Sequence, residues 1–198
     1  MPRFLHAMSG GNAKTRTTRL LARPDWQEVR LDPAQKTKPD IPGSLLDMRS
    51  VPQGAFDAVY VSHNLERLYP HQVGNALGNC LRSLKEDGHL VVICADLQAA
   101  CAQAAAGGLL DEAYASPAGP VTPLDILYGY RPALAAGHLE YACHCGFTAK
   151  FLLESLLRSG FASVQAVRNA KAFSIIALAT RRKRSEAFLA ELAKSHFG

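Results

Sequence analysis

Five short apolar runs, each ending on small or polar residues, constrain this chain more than any other feature. They cover residues 3–7, 28–31, 41–46, 58–61 and 89–94. The first runs into Met8-Ser9-Gly10-Gly11-Asn12, a turn by composition, and the others end on Asp32, Asp47, Ser62-His63-Asn64 and Ala95-Asp96. Period-two or continuous apolar runs of this length read as strands. Helical spacing takes over between some of them. Residues 70–84 open with proline at a helix start, where the missing N–H costs nothing. Their apolar positions Val73, Leu77, Leu81 and Leu84 share one face, and Lys85-Glu86-Asp87-Gly88 then forms a charged turn. Residues 96–106 are alanine-rich and helical, and 148–159 form an amphipathic helix with Thr148 as N-cap and Gly160 just beyond its end. Two more strands, 163–167 and 172–180, and a helix over 185–195 complete the pattern.

Strands alternating with helices predict an α/β fold: a Rossmann-like, doubly wound, mostly parallel sheet. The last two strands are joined by only four residues, 168–171, so they must be antiparallel. With 198 residues, 48% apolar and 20% charged, the chain reads as one domain over 1–198. Residues 107–146 hold Gly, Pro and aromatics with short helical pieces at 123–128 and 131–136. Long ordered insertions usually serve function, so this stretch reads as a lid or substrate-side insertion.

No apolar run approaches the roughly 20 residues of a membrane helix. The basic start has too short an apolar part for a signal peptide, so a cytoplasmic location is expected, without membrane contact. Five cysteines, an odd number, then read as reduced thiols, with Cys80 and Cys94 as small core residues. Cys143-His144-Cys145 is too tight for structural zinc and lacks a second pair, so no metal is expected. The net charge of +5 owes much to Lys14, Arg16 and Arg19 and to the run Arg181-Arg182-Lys183-Arg184. Neither cluster has interleaved aromatics, which argues against nucleic acid as a partner. A homodimer is compatible with the pattern but not required by it.

In an open α/β sheet the ligand sits at the carboxyl ends of the strands. A nucleoside cofactor needs close backbone approach at the first turn, which glycines permit. Its ribose needs an acceptor, and Asp32 lies about 20 residues past Gly11, the spacing that places a carboxylate on ribose hydroxyls. Asp47-Met48 could provide an apolar slot with a polar edge for the adenine. The first loop lacks the G-x-x-x-x-G-K-[ST] pattern, which favours a cofactor without phosphates over ATP.

Three stretches carry a family resemblance. Phe56-Asp57-Ala58-Val59-Tyr60-Val61-Ser62-His63-Asn64-Leu65-Glu66 resembles the fourth-strand motif of small class I S-adenosylmethionine (SAM) dependent methyltransferases, a strand followed by Ser-His-x-x-Glu-His. Leu84-Lys85-Glu86-Asp87-Gly88 is similar to their Leu-Lys-Pro-Gly-Gly turn. Cys145-Gly146-Phe147-Thr148, with Ser159-Gly160-Phe161, resembles their late helix and Gly-Phe element. The resemblance spans nearly the whole chain and implies methyl transfer from SAM to a small-molecule acceptor. It implies that Met8, Ser9, Gly10 and Gly11 lie under the methionine part, that Asp32 holds the ribose, and that Asp47 and Met48 flank the adenine. Ser62 and His63 would sit beside the sulfonium or the acceptor.

The chain departs from the family in two places. Met8-Ser9 stands where its first loop has glycines (Gly-x-Gly-x-Gly), and Arg67 stands where the motif often has His. An acceptor hydroxyl or amine needs a base, and His63 at a strand end is the first candidate. Tyr69 and His71 follow on the same loop as further catalytic candidates. Glu66, Arg67, Tyr128, Arg131 and His144 are candidate substrate-binding residues, Arg131 as a clamp for an anionic group. Two other readings remain: a non-catalytic binding or assembly protein that kept the fold, and a dinucleotide-dependent oxidoreductase. The second lacks Gly-x-Gly-x-x-G, and no Gly-x-Ser-x-Gly elbow supports a hydrolase.

Overall fold

The computed structural model describes residues 1–11 and 13–198. The turn expected over 8–12 is seen through Gly11, and Asn12 lies outside the described residues. The chain forms β1 (Arg3–Ala7), β2 (Gln27–Asp32), β3 (Ile41–Pro42), β4 (Phe56–Ser62), α1 (Val73–Ser83), β5 (Leu84–Ala95) and α2 (Leu97–Ala105). A small hairpin follows, β6 (Tyr114–Ser116) and β7 (Gly119–Val121), then α3 (Pro123–Tyr128) and α4 (Arg131–Ala135). The chain closes with α5 (Ala149–Arg158), β8 (Ser163–Asn169), β9 (Ser174–Thr180) and α6 (Glu186–Phe197).

Seven strands make one sheet in the order β3-β2-β1-β4-β5-β9-β8. The first five run parallel, and β9 lies antiparallel to both β5 and β8. β8 and β9 run to Asn169 and from Ser174, two residues past the expected bounds, and the four-residue link 170–173 requires that pairing. The chain leaves β1 toward β2 and β3, then returns to β4 on the other side of β1. That reversal opens a crevice at the carboxyl ends of β1 and β4.

Alternation along the strands divides the core in two. Leu5, Val59, Val61, Leu90, Val92 and Ala177 face a large cluster completed by Leu77 and Cys80 of α1 and by Leu152 and Leu156 of α5. Phe4, Tyr60, Val91 and Leu178 face the opposite side, covered by Leu21, Trp26 and, from α6, Leu192 and Ala193. Among the described residues no α-helix lies between β1 and β4; the connections are turns and short 3-10 segments. No helix among them is long and apolar enough to cross a membrane.

Several boundaries differ from expectation. The third strand is two residues rather than six. Beyond Pro42 the chain turns at once: Ser44 Oγ accepts the amide protons of Leu46 and Asp47 at 3.3 and 3.2 Å, and this local bonding replaces the ladder. The helix expected over 70–84 starts as a 3-10 turn, Pro70–Gln72, and stops at Ser83. Leu84 instead pairs with Phe56, and the expected Lys85–Gly88 turn is absorbed into β5 across a register shift. The basic run is not a free surface patch. Arg181 and Arg182 pair with Glu86, and Arg184 pairs with Asp87 at 2.7 Å, tying the segment after β9 to the start of β5.

Candidate functional site

Two tight turns flank the crevice. Met8, just past β1, has φ 58°, and His63, just past β4, has φ 51°. Left-handed backbone costs a non-glycine residue roughly 1–2 kcal/mol, and such strain gathers at functional sites. Asn64 holds the two turns together: its side-chain amide donates to the carbonyls of Met8 at 3.1 Å and Ser62 at 2.8 Å. Asn64 is buried, lines the crevice, and was not singled out by the sequence as a site residue.

Asp32, at the end of β2, is 4% exposed. One carboxylate oxygen accepts the amide proton of Gly10 at 2.8 Å, and the other that of Ala34 at 2.9 Å. Gly10 and Gly11 adopt φ 59° and 82°. A side chain at Gly10 would meet open space, so this glycine serves the turn rather than a tight approach.

These residues open onto a cavity of 540 Å³, within the range of small-molecule sites. Met8, Gly10 and Asp32 form one side, Leu45 and Leu46 with Pro33 an apolar side, and Arg67 and Tyr141 the far wall. The Arg67 guanidinium lies 4.4 Å from the Tyr141 ring centroid, so a residue of the 107–146 segment closes the crevice. Arg67 and Tyr141 also line a second cavity of 250 Å³ above the ends of β4 and β5, together with His63, Glu66 and Tyr114.

The expected adenine residues sit elsewhere. Met48 is 1% exposed within the core, and Asp47 is half-exposed and paired with Arg49 at 2.8 Å, lining neither cavity. That pairing lowers the Asp47 carboxyl to about 2. Leu45 and Leu46, immediately before them, take the place in the wall. Ser9 is buried, its hydroxyl without a partner among the described residues, and Ser62 and Gly11 line neither cavity.

His63 presents a half-exposed ring whose Nδ1 lies 3.4 Å from Glu66 Oε1. Glu66, by contrast, is buried. Tyr69 and His71 line neither cavity; Tyr69 stacks on His144 at 4.3 Å between centroids and on His71 at 5.9 Å. Tyr128 and His144 line a third, smaller cavity of 180 Å³ on the other side of Glu66. Arg131 is committed to the Asp125 carboxylate, with Nε to Oδ1 at 2.8 Å, and is not free to clamp a ligand. Burial alone would raise the Asp125 carboxyl, but bonds from Arg131 and Thr122 hold it well below the usual range. Burial, then the charge of Glu66, pushes the Cys143 and Cys145 thiols up to about 11 and 12, so neither is a thiolate at neutral pH.

No family model and no curated protein matches the chain. Solved structures do, over nearly its full length. A SAM-dependent methyltransferase of Thermotoga maritima, described as a possible histamine N-methyltransferase, matches with TM-score 0.56 at 12% identity, over 92% of this chain and 83% of that one. The Burkholderia thailandensis 1,6-didemethyltoxoflavin-N1-methyltransferase, with S-adenosylhomocysteine bound, matches with TM-score 0.55 at 14% identity, over 92% and 72%. Human N-acetylserotonin methyltransferase in complex with SAM matches with TM-score 0.55 at 15% identity, but this chain spans only 48% of it. At such identities the likeness is one of fold. The seven-stranded order, the crevice between β1 and β4 and these matches together give one result: the chain has the fold of the class I SAM-dependent methyltransferases.

Proposed function

We propose that the protein binds SAM in the cavity between β1, β2 and β4 and transfers its methyl group to a small-molecule acceptor. The observation that carries this is Asp32. An ionised carboxylate offers about four lone-pair sites. Two are taken by Gly10 and Ala34, which fix its orientation, and the others suit the paired hydroxyls of a ribose. Leu45, Leu46 and Pro33 suit the apolar faces of a purine, and Lys36 and Arg67 supply cations for a carboxylate. When bound, SAM supplies an electrophilic methyl group on a sulfonium. The protein's part is positioning and proton handling. His63 stands at the end of β4, between the acceptor-side cavity and solvent, where it can take a proton from the acceptor and release it to water. The 107–146 segment acts as a lid, because Tyr141 closes the cofactor cavity while Tyr114 and Tyr130 line the acceptor cavity.

A second reading, a binding or assembly protein that keeps the fold, is favoured by Met8. Its side chain lines the cavity where a glycine would leave room. Calorimetry with SAM and S-adenosylhomocysteine tests the first reading. Micromolar binding at one site, weakened about tenfold or more in Asp32→Asn by loss of a charge-assisted hydrogen bond, is the expected result. Well-folded protein that binds neither compound would refute it. Binding without transfer to any acceptor would favour the second reading.

A further inference from the structure

The second cavity lies beyond the Arg67–Tyr141 wall, over the ends of β4 and β5 and under the 107–146 segment. Glu66 lines both this cavity and the smaller one behind it. Its side chain is only 5% exposed. Oε1 accepts the Ala95 amide proton at 2.6 Å, whereas Oε2 is buried with no hydrogen-bond partner among the described residues. A buried polar atom left unpaired costs about 1–3 kcal/mol, more when charged. The carboxylate is nonetheless held firmly in place. The Glu66 carbonyl accepts the amide protons of His144 at 2.8 Å and Cys145 at 3.1 Å, which binds the returning end of the 107–146 segment to this residue.

The rest of the cavity has a matching character. Tyr114, Tyr130 and Tyr141 contribute aromatic rings, and Val121 and Ile126 apolar surface. Asp125 also lines it, its charge balanced by Arg131. Arg67 lines both this cavity and the cofactor cavity, its guanidinium stacked on Tyr141.

We propose that this cavity takes a small amine as the methyl acceptor, with Glu66 receiving the N–H of the nitrogen; this rests on the methyl-transfer reading above. An ammonium or amine supplies the missing donor to Oε2, and its positive charge is attracted by tyrosine rings. A carboxylic acid would meet the Glu66 charge, and an alcohol would leave that charge unbalanced. The reaction balances directly. The amine first gives up its extra proton to His63, which passes it to solvent. The nitrogen lone pair then forms a C–N bond to the methyl carbon as the C–S bond breaks, and the sulfonium becomes a neutral thioether. The methylated ammonium loses its proton by the same route.

The test is calorimetry on the whole protein, saturated with S-adenosylhomocysteine, using 2-phenylethylamine, 2-phenylethanol and phenylacetate as probes of one skeleton. The amine is expected to bind about tenfold or more tighter than the alcohol, the ratio of a hydrogen bond to a charged group, and the acid not to bind. Glu66→Gln keeps an oxygen for the Ala95 amide; it is expected to erase the preference for the amine and leave S-adenosylhomocysteine affinity unchanged. Should that variant fold poorly, the amine-to-alcohol ratio of the unmodified protein decides alone. Equal binding of amine and alcohol, or no binding of the amine, overturns the inference even with the cofactor analogue bound. Failure of S-adenosylhomocysteine to bind overturns the methyl-transfer reading instead, and amine preference can still be read in its absence.

Discussion

His63 is held at φ 51° with its ring half in solvent. A side chain that buries little surface does not repay left-handed strain through packing, and strain of this kind gathers at functional sites. His63→Gly is therefore expected to raise stability by about 1 kcal/mol in denaturant titration. The same change should slow methyl transfer by about 100-fold or more, the usual contribution of a positioned base. A variant as active as the parent would remove His63 from the chemistry. At this scale the sequence was legible where a residue ends a strand: Asp32 and His63 reach the cavities because strand direction alone puts them there. It was less legible one residue away. Leu45 and Leu46 line the wall rather than Asp47 and Met48, because the turn led by Ser44 rotates the chain before it reaches Asp47. Glu140 and Tyr141 carry no local pattern; only the closed fold brings them to Asn64 at the crevice.

α6 is held to the sheet by a buried polar chain: Thr18 Oγ1 to His196 Nδ1 at 2.6 Å, then His196 Nε2 to His89 Nε2 at 2.9 Å. Burial lowers His89 to about 4 and His196 to about 3, the latter helped by its neighbour's charge; Asp57 opposes the shift at His89. Burial lowers His6 as well, against the pull of Glu28. These histidines are neutral when folded and bind protons more readily unfolded. Their stabilisation is complete above the unfolded pKa near 6.5 and is lost as pH falls toward the folded values. Unfolding free energy should thus be flat from pH 8 to 7 and fall by about 2–4 kcal/mol by pH 5, at about 1.4 kcal/mol per pH unit per proton. His196→Gln should reduce that slope by about one proton. An unchanged stability between pH 7 and 5 would contradict the buried pair. A different element, the 107–146 segment, passes through Gly129, whose φ is 106° and whose Cβ would collide with the Tyr141 carbonyl. Gly129→Ala should cost about 2 kcal/mol locally. Amide exchange would report it as faster opening over 130–142, with β1, β4 and β5 unchanged.

Across the whole molecule, the parallel order, the antiparallel end and the carboxyl-end location of the crevice follow from strand spacing and the short link between the last two strands. What strand spacing alone does not reveal is how the first half is covered. Among the described residues the chain forms no α-helix between β1 and β4; Leu21 and Trp26 from irregular chain cover that face beside α6. Irregular chain has no periodicity to read, so its packing is settled only by the tertiary fold. The central claim, that an adenosyl cofactor occupies the crevice between β1, β2 and β4, is tested most directly by mapping amide chemical shifts while S-adenosylhomocysteine is added. Changes should concentrate at Met8, Gly10, Asp32, Ala34, Leu45 and Leu46, around the cavity they line. No change in folded protein, or changes gathered instead at the groove lined by Arg19, Arg23 and Lys194, would contradict it.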